Sequence, residues 1–282
     1  MKKLGLFLIS LFYLIYFLSF PNLLKDTLLT TCLLFITTIM PSILPMYWIS
    51  NILLINPLFT KLFFPFLKRI LPLENEIACT IYLLSILMGN PTTSLLINQN
   101  IEKQIITLEQ GKKLMNITFF MNPLFIISVC PINLAISIII GSITSSLIIG
   151  FFMKKLPHYY SNNYNTSFFN TLDNTPTILL NILIIMFFVS IIKIPFNNLN
   201  FPYIYLIDFL DISSGLINVV KYPTNNLLLL ILLTILINTN GVCLFLQTIR
   251  VVNFIKPIEL IKKRLISTLI SLLITLFIYF LF

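Results

Sequence analysis

The sequence has one histidine in 282 residues, His158, and it lies in a polar stretch. A catalytic or metal site centred on histidine therefore has nothing to build on. Cysteine is scarce too. Cys32, Cys79, Cys130 and Cys243 all lie inside apolar runs, at no metal-ligand spacing, and read as small buried hydrophobes. Charge is short as well: 10% of residues are charged, against about 25% in soluble domains. No Ser/His/Asp set, zinc-protease HExxH or phosphate-binding Walker loop occurs. Enzyme chemistry lacks the residues to carry it, and neither a metal nor an organic cofactor is expected.

What the chain does have is apolar length. It is 58% hydrophobic, with a mean hydropathy of +0.99. The apolar residues come in long runs rather than at amphipathic spacing. That pattern defines an all-α, polytopic helical membrane protein. A β-barrel is disfavoured because barrel strands alternate and these runs do not. The 18 basic residues outnumber the 9 acidic ones, giving a net charge of +9. In a soluble protein such an excess suggests nucleic acid. Here Lys2, Lys3, Lys154, Lys155, Lys262, Lys263 and Arg264 sit at the ends of apolar runs. That placement suits cytoplasmic loops and anionic head groups. The expected partner is the lipid bilayer of the cell membrane, not nucleic acid. A homo-oligomer is left open.

Taken in order, Lys2-Lys3 followed by the apolar run 4–20 and Pro21 reads as an uncleaved first helix with a cytoplasmic N-terminus. Pro41 and Pro45 interrupt the next long run. They either kink an ordinary helix or mark a break that lines a cavity. Residues 56–72 carry Lys61, Lys68 and Arg69 among Phe and Leu, as an interfacial helix would. The run 77–88 is 12 residues long and stops at Gly89-Asn90-Pro91. Twelve residues rise only about 18 Å, too little for a hydrocarbon core of about 30 Å. A helix broken at that depth is tolerated only where its backbone is buried in protein or lines a polar cavity. Asn122-Pro123 and the sequence Asn238-Thr239-Asn240-Gly241 interrupt later runs. The organisation expected is an N-terminal helix over 1–26, a first repeat with an extra helix over 27–153, a polar linker over 154–176 and a second repeat over 177–282.

The repeat rests on a shift of 150 residues. It puts Asn90 on Asn240, Pro45 on Pro195 and Asn75 on Asn225, and Glu109, Lys112 and Lys113 on Glu259, Lys262 and Lys263. Two structural repeats with broken or re-entrant helices in matching positions point to a binding site at the repeat interface.

At these motifs the chain resembles the YlbJ-type sporulation integral membrane proteins of the wider nucleoside-recognition (Gate) family. Met40-Pro41-Ser42-Ile43-Leu44-Pro45-Met46 is similar to that family's V-P-S-L-L-P-F, and Met88-Gly89-Asn90-Pro91 to its G-x-P hairpin. Glu109 is followed by Asn122-Pro123-Leu124-Phe125-Ile126, which is like S-P-L-F-I. Leu210-Asp211-Ile212-Ser213-Ser214-Gly215 is like L-E-I-T-x-G, and Asn240-Gly241 with Gln247 is like a G-G-x-x-x-x-x-Q pattern. The likeness runs over residues 27–275 in consistent order. Thr92-Thr93-Ser94 and Asn240 depart from it, each standing where the family carries small residues. Asp211 replaces a Glu and keeps the carboxylate. The resemblance implies a transporter-like fold related to concentrative nucleoside carriers.

The candidate solute-binding residues are Gly89, Asn90, Asn98, Asn240, Gly241 and Gln247; the side-chain amides of Asn90, Asn98, Asn240 and Gln247 suit a neutral polar solute. The alternative role for those amides is to satisfy the broken backbone. Asp208 and Asp211 lie three apart, on one face if one helix holds both. A carboxylate at membrane depth usually faces a cavity, often for proton or ion coupling; the alternative is that the segment is interfacial and Asp211 caps a half-helix. Two functions follow: a transporter of a small, nucleoside-like polar solute, or a non-transporting scaffold in sporulation or envelope morphogenesis. Transport predicts that Asp208, Asp211, Asn90 and Asn240 converge on one polar cavity.

Overall fold

The structure is a computed structural model describing residues 2–71, 73–156, 168–196, 203–222 and 224–281. His158, residues 157–167 of the expected linker and the polar stretch 197–200 lie outside the described residues. Fifteen α-helices and no strand occur among the described residues. Five segments are long and apolar enough to cross a membrane: Pro21–Ile55, Ile132–Phe152, Thr171–Phe196, Asn226–Val251 and Pro257–Leu281. Leu6, Phe7, Leu269, Leu273 and Phe277 are among many large apolar side chains left exposed, as lipid-facing residues are. The chain is a multi-pass α-helical membrane protein.

The helices α1 (Lys2–Ser19) and α2 (Pro21–Leu34) lead through a π-helical turn, Phe35–Ile39, into α3 (Met40–Ile55). The prolines at 41 and 45 sit just beyond that turn, so the helix bulges there and continues. The basic amphipathic helix α4 (Pro57–Ile70) follows, and then α5 (Glu76–Met88) and α6 (Thr92–Glu102). At Gly89–Pro91 the chain reverses. The Asn75 amide before α5 donates to the Ile105 carbonyl beyond α6 (3.2 Å), so the two outer ends of this re-entrant hairpin meet.

Next come α7 (Leu108–Ile117), a non-helical stretch at 118–122, α8 (Pro123–Val129), α9 (Ile132–Phe152) and α10 (Phe168–Lys193). The short α11 (Tyr203–Asp208) and α12 (Ile212–Val220) pack on each other, Gly215 lying against the Asp208 carbonyl. The helices α13 (Asn226–Thr239) and α14 (Gly241–Val251) follow one another as one crossing, interrupted at Asn240, and α15 (Pro257–Leu281) is the last.

The first N–H groups of each helix have no partner within the helix and need a polar cap. Asn56, Asn75, Thr107, Asn122, Asp211 and Asn225 each accept a backbone N–H from the first turn that follows. The most extensive packing joins α9 to α15 along small residues four apart, Gly141 and Ser145 against Ser267, Ser271 and Thr275. Small side chains let two such helices approach closely without a hydrophobic driving force.

Two expectations are corrected here. The breaks paired by the 150-residue shift differ in kind: the chain reverses at Asn90, whereas at Asn240 it interrupts a crossing. The reversal in the second half falls at 209–211, between α11 and α12. Asp208 and Asp211 therefore do not share a helical face. Asp208 ends one helix and Asp211 caps the next.

Candidate functional site

Each hairpin turn is tied to an interruption between two other helices. At the first, the Asn90 backbone N–H donates to the Phe120 carbonyl (2.9 Å), and its side-chain amide donates to the Thr118 carbonyl (2.9 Å). Gly89 has φ +66°, and a Cβ there would lie 2.4 Å from the Asn122 nitrogen. At the second, the Val242 and Cys243 N–H groups opening α14 donate to the Phe209 and Leu210 carbonyls of the α11–α12 turn (3.1 and 2.8 Å). Gly241, with φ +53°, lies against that same Phe209 oxygen. Backbone freed by one break is thus satisfied by the other, in both halves.

Between the two junctions lies a small cavity of about 40 Å³. Its walls come from the π-bulge region (Ile39, Ser42), the first junction (Asn90, Asn122), the first turn of α12 (Ser213), α14 (Cys243, Gln247) and α10 (Ile182, Met186). Among the described residues, no charged side chain lines it. Most of its polar atoms are already engaged. The Asn90 Oδ1 accepts from Ser94 Oγ (2.7 Å). The Asn122 amide donates to the Ser42 carbonyl (3.0 Å), and its oxygen caps α8. Gln247 is different. It is 4% exposed, its Oε1 has no partner, and its Nε2 makes only long contacts to the Ile182 carbonyl and Cys243 Sγ. Gln247 is therefore the one free amide acceptor on the cavity wall.

A second, larger, open and polar cleft of about 440 Å³ lies between α2, the end of α10 and the α11–α12 hairpin. Lys193 Nζ lies 3.3 Å from Asp208 Oδ1, both side chains being nearly buried. Asp208 also accepts from Asn218 Nδ2 (2.8 Å) and the Tyr222 hydroxyl. Burial, and then the Asp208 carboxylate beside it, hold the Tyr222 phenol above its ordinary pKa, so it stays a donor. Lys193 donates in addition to Ser214 Oγ (2.9 Å), which donates to Asp211 Oδ2 (2.7 Å). One ammonium thus serves two carboxylates. Ser213 faces the central cavity and Ser214 the cleft, so the first turn of α12 forms the wall between them.

The structure brings some of the sequence candidates together and separates others. Asn90 and Gln247 line the central cavity. Gly89 and Gly241 serve close backbone approach. Asn98 lies in neither space and its amide bonds to Glu102 (2.8 Å). Asn240 is fully buried in a left-handed conformation, with both amide atoms unpaired, and lines neither space. Asp208 faces the polar cleft and Asp211 is the cap of α12. The four residues expected to converge on one cavity do not.

Two residues escaped the sequence reading. Lys193 passes in sequence for a basic helix end. Arg264 was grouped with its exposed neighbours Lys262 and Lys263, yet it is 3% exposed. Its guanidinium stacks on Phe119 and Phe245 (4.8 and 5.7 Å) and donates to the Thr239 carbonyl (3.3 Å). No local signal was available: Arg264 follows Lys262-Lys263 and abuts the start of the last apolar run, as a head-group-facing basic residue would.

The site defines a class, a multi-pass helical membrane protein with a cavity enclosed by broken helices. Compared with known proteins, the chain matches no family model, no curated protein and no solved structure.

Proposed function

We propose that the protein binds a small uncharged solute in the central cavity and carries it across the cell membrane. The observation that carries this reading is a cavity without formal charge whose one free amide acceptor is the Gln247 oxygen. The space is about 40 Å³, below the roughly 300–1,000 Å³ of small-molecule sites, so a solute enters only as the walls move apart. Apolar walls with one acceptor and the Ser213 hydroxyl suit a flat heterocycle with an N–H edge, such as a nucleobase or an unphosphorylated nucleoside. The resemblance to the nucleoside-recognition family supports the same class.

The two hairpins and the two helix interruptions they dock on support a pair of repeats. The match by kind sets α5–α6 against α11–α12 and α7–α8 against α13–α14. The Asp208–Lys193–Ser214–Asp211 chain, ending at the cavity wall, supports proton or ion coupling there. Lys113 Nζ contacts the Lys154 carbonyl and Lys155 Nζ the Lys68 carbonyl, gathering basic residues at one face. Their excess supports a cytoplasmic location for that face and for the N-terminus.

A membrane scaffold is the second reading. Its support is that Asn90 and Asn122, placed as solute ligands would be, are already committed to the protein's own backbone. Uptake into proteoliposomes of a panel of neutral nucleosides and nucleobases separates the two. Transport predicts saturable uptake of at least one member. Folded, reconstituted protein that takes up none supports the scaffold.

A further inference from the structure

Two segments at one end of the bundle pass directly from exposed apolar side chains to basic ones. On α4, Leu58, Leu62 and Phe66 recur every four residues and are largely exposed. That spacing sets them in one stripe along the helix. Lys68 and Arg69 follow in its last turn. The other side of α4 carries the buried Thr60 and Leu67, and the helix packs on α5 and α9. At the end of α9, Phe151 and Phe152 are exposed in the same way, and Lys154 and Lys155 follow.

The two basic ends meet. Lys155 Nζ contacts the Lys68 carbonyl (3.5 Å), and Lys113 Nζ, from α7, contacts the Lys154 carbonyl. Lys68, Arg69, Lys113, Lys154 and Lys155 are thus drawn together from three parts of the chain. None of them is in an ion pair among the described residues, where Lys193–Asp208 is the only one. The acidic side chains closest in sequence are Glu109, four residues before Lys113, and Glu74 and Glu76, beyond α4. Three carboxylates against five cations leave the group positive. Cations held by carbonyls keep their full charge, and neighbours of one sign repel until an anion joins them.

We propose that this end of the bundle holds an anionic glycerophospholipid, its phosphate among the five cations and its acyl chains along Leu62, Phe66, Phe151 and Phe152. On both segments the order, apolar and then basic, matches the lipid's own order of chain and then head group. Arg69 brings a planar fork that suits a pair of phosphate oxygens. A zwitterionic head group carries a cation of its own, which the lysines repel, so net charge selects the lipid. Free phosphate lacks the chains that cover the apolar stripe. This site needs only the membrane reading of the fold and is independent of the central cavity.

The purified protein, in micelles of an uncharged detergent at physiological salt, is titrated with phosphatidylglycerol, phosphatidylcholine or inorganic phosphate, and the midpoint of thermal unfolding is read. A ligand bound by the folded state alone raises that midpoint with its concentration. Phosphatidylglycerol should raise it saturably, and phosphatidylcholine and phosphate should not. Lys68→Gln with Arg69→Gln should move the phosphatidylglycerol titration about tenfold or more to higher lipid. Lys154→Gln with Lys155→Gln should do the same, and carries the test if the first variant does not fold. Lys262→Gln with Lys263→Gln removes the same charge from an exposed pair on α15 and should leave the titration in place. Equal response to the two lipids, a response to phosphate alone, an unmoved titration in the α4 and α9 variants, or an equal loss in the α15 variant overturns the site.

Discussion

Lys193 and Asp208 approach to 3.3 Å from different helices, and their side chains are 7% and 1% exposed. This is the one ion pair between described residues. It anchors the α11–α12 hairpin to α10, and Ser214 extends it to Asp211. An isolated charge at this depth would be expensive, so the pair is needed more by its partners than by the fold.

Removing one partner should be worse than removing both. Lys193→Met is expected to destabilise the protein by about 3–5 kcal/mol, because it leaves the Asp208 carboxylate buried without its ammonium. Lys193→Met with Asp208→Asn should recover most of that loss. Thermal unfolding in detergent, run as a double-mutant cycle, checks it. Additive losses would show that the pair is not coupled.

Arg264 reaches from α15 to two helix interruptions. Its ring partners are Phe119, beside the first junction, and Phe245 on α14. Lysine keeps the charge but lacks the flat guanidinium that stacks on two rings. Arg264→Lys should therefore lower the midpoint of thermal unfolding more than Arg264→Gln, which removes the uncompensated charge. The opposite order would mean that charge, not stacking, holds the residue.

The hairpin turn tolerates no Cβ at Gly89. A left-handed backbone costs a non-glycine residue about 1–2 kcal/mol, and the 2.4 Å approach to the Asn122 nitrogen adds a clash with backbone that cannot move aside. Gly89→Ala should reduce the yield of folded protein sharply. Gly5→Ala, with nothing within 4 Å of the added carbon, should have no effect. Size-exclusion profiles of the two variants make the comparison.

Most of the fold was legible because membrane depth imposes strict demands. A run of 12 apolar residues ending in Gly89-Asn90-Pro91 cannot cross, so the re-entrant reading followed from length alone. The caps were legible in principle, and Asp211 proved to be one. What escaped was relational. Nothing local to Asn240 says that the chain goes onward there and reverses at 209–211 instead. A composition rich in Asn, Leu and Ile supplies chance matches at many shifts, and the 150-residue register aligned helix starts correctly while pairing breaks of different kinds. Lys193 and Arg264 were hidden for another reason. A basic residue at the end of an apolar run has the same local sequence whether it reaches a head group or a buried partner.

The central claim is an uncharged cavity that reads a donor through the Gln247 oxygen. Equilibrium binding of one neutral nucleoside and of its 5′-monophosphate, to the wild type and to Gln247→Leu, tests it most directly. The neutral compound should bind, and the phosphate should bind at least about a hundredfold more weakly, because no cation lines the cavity to meet it. Gln247→Leu should weaken the neutral compound by about two- to tenfold, the worth of one hydrogen bond. Equal or tighter binding of the phosphate, or no effect of Gln247→Leu, would contradict the account.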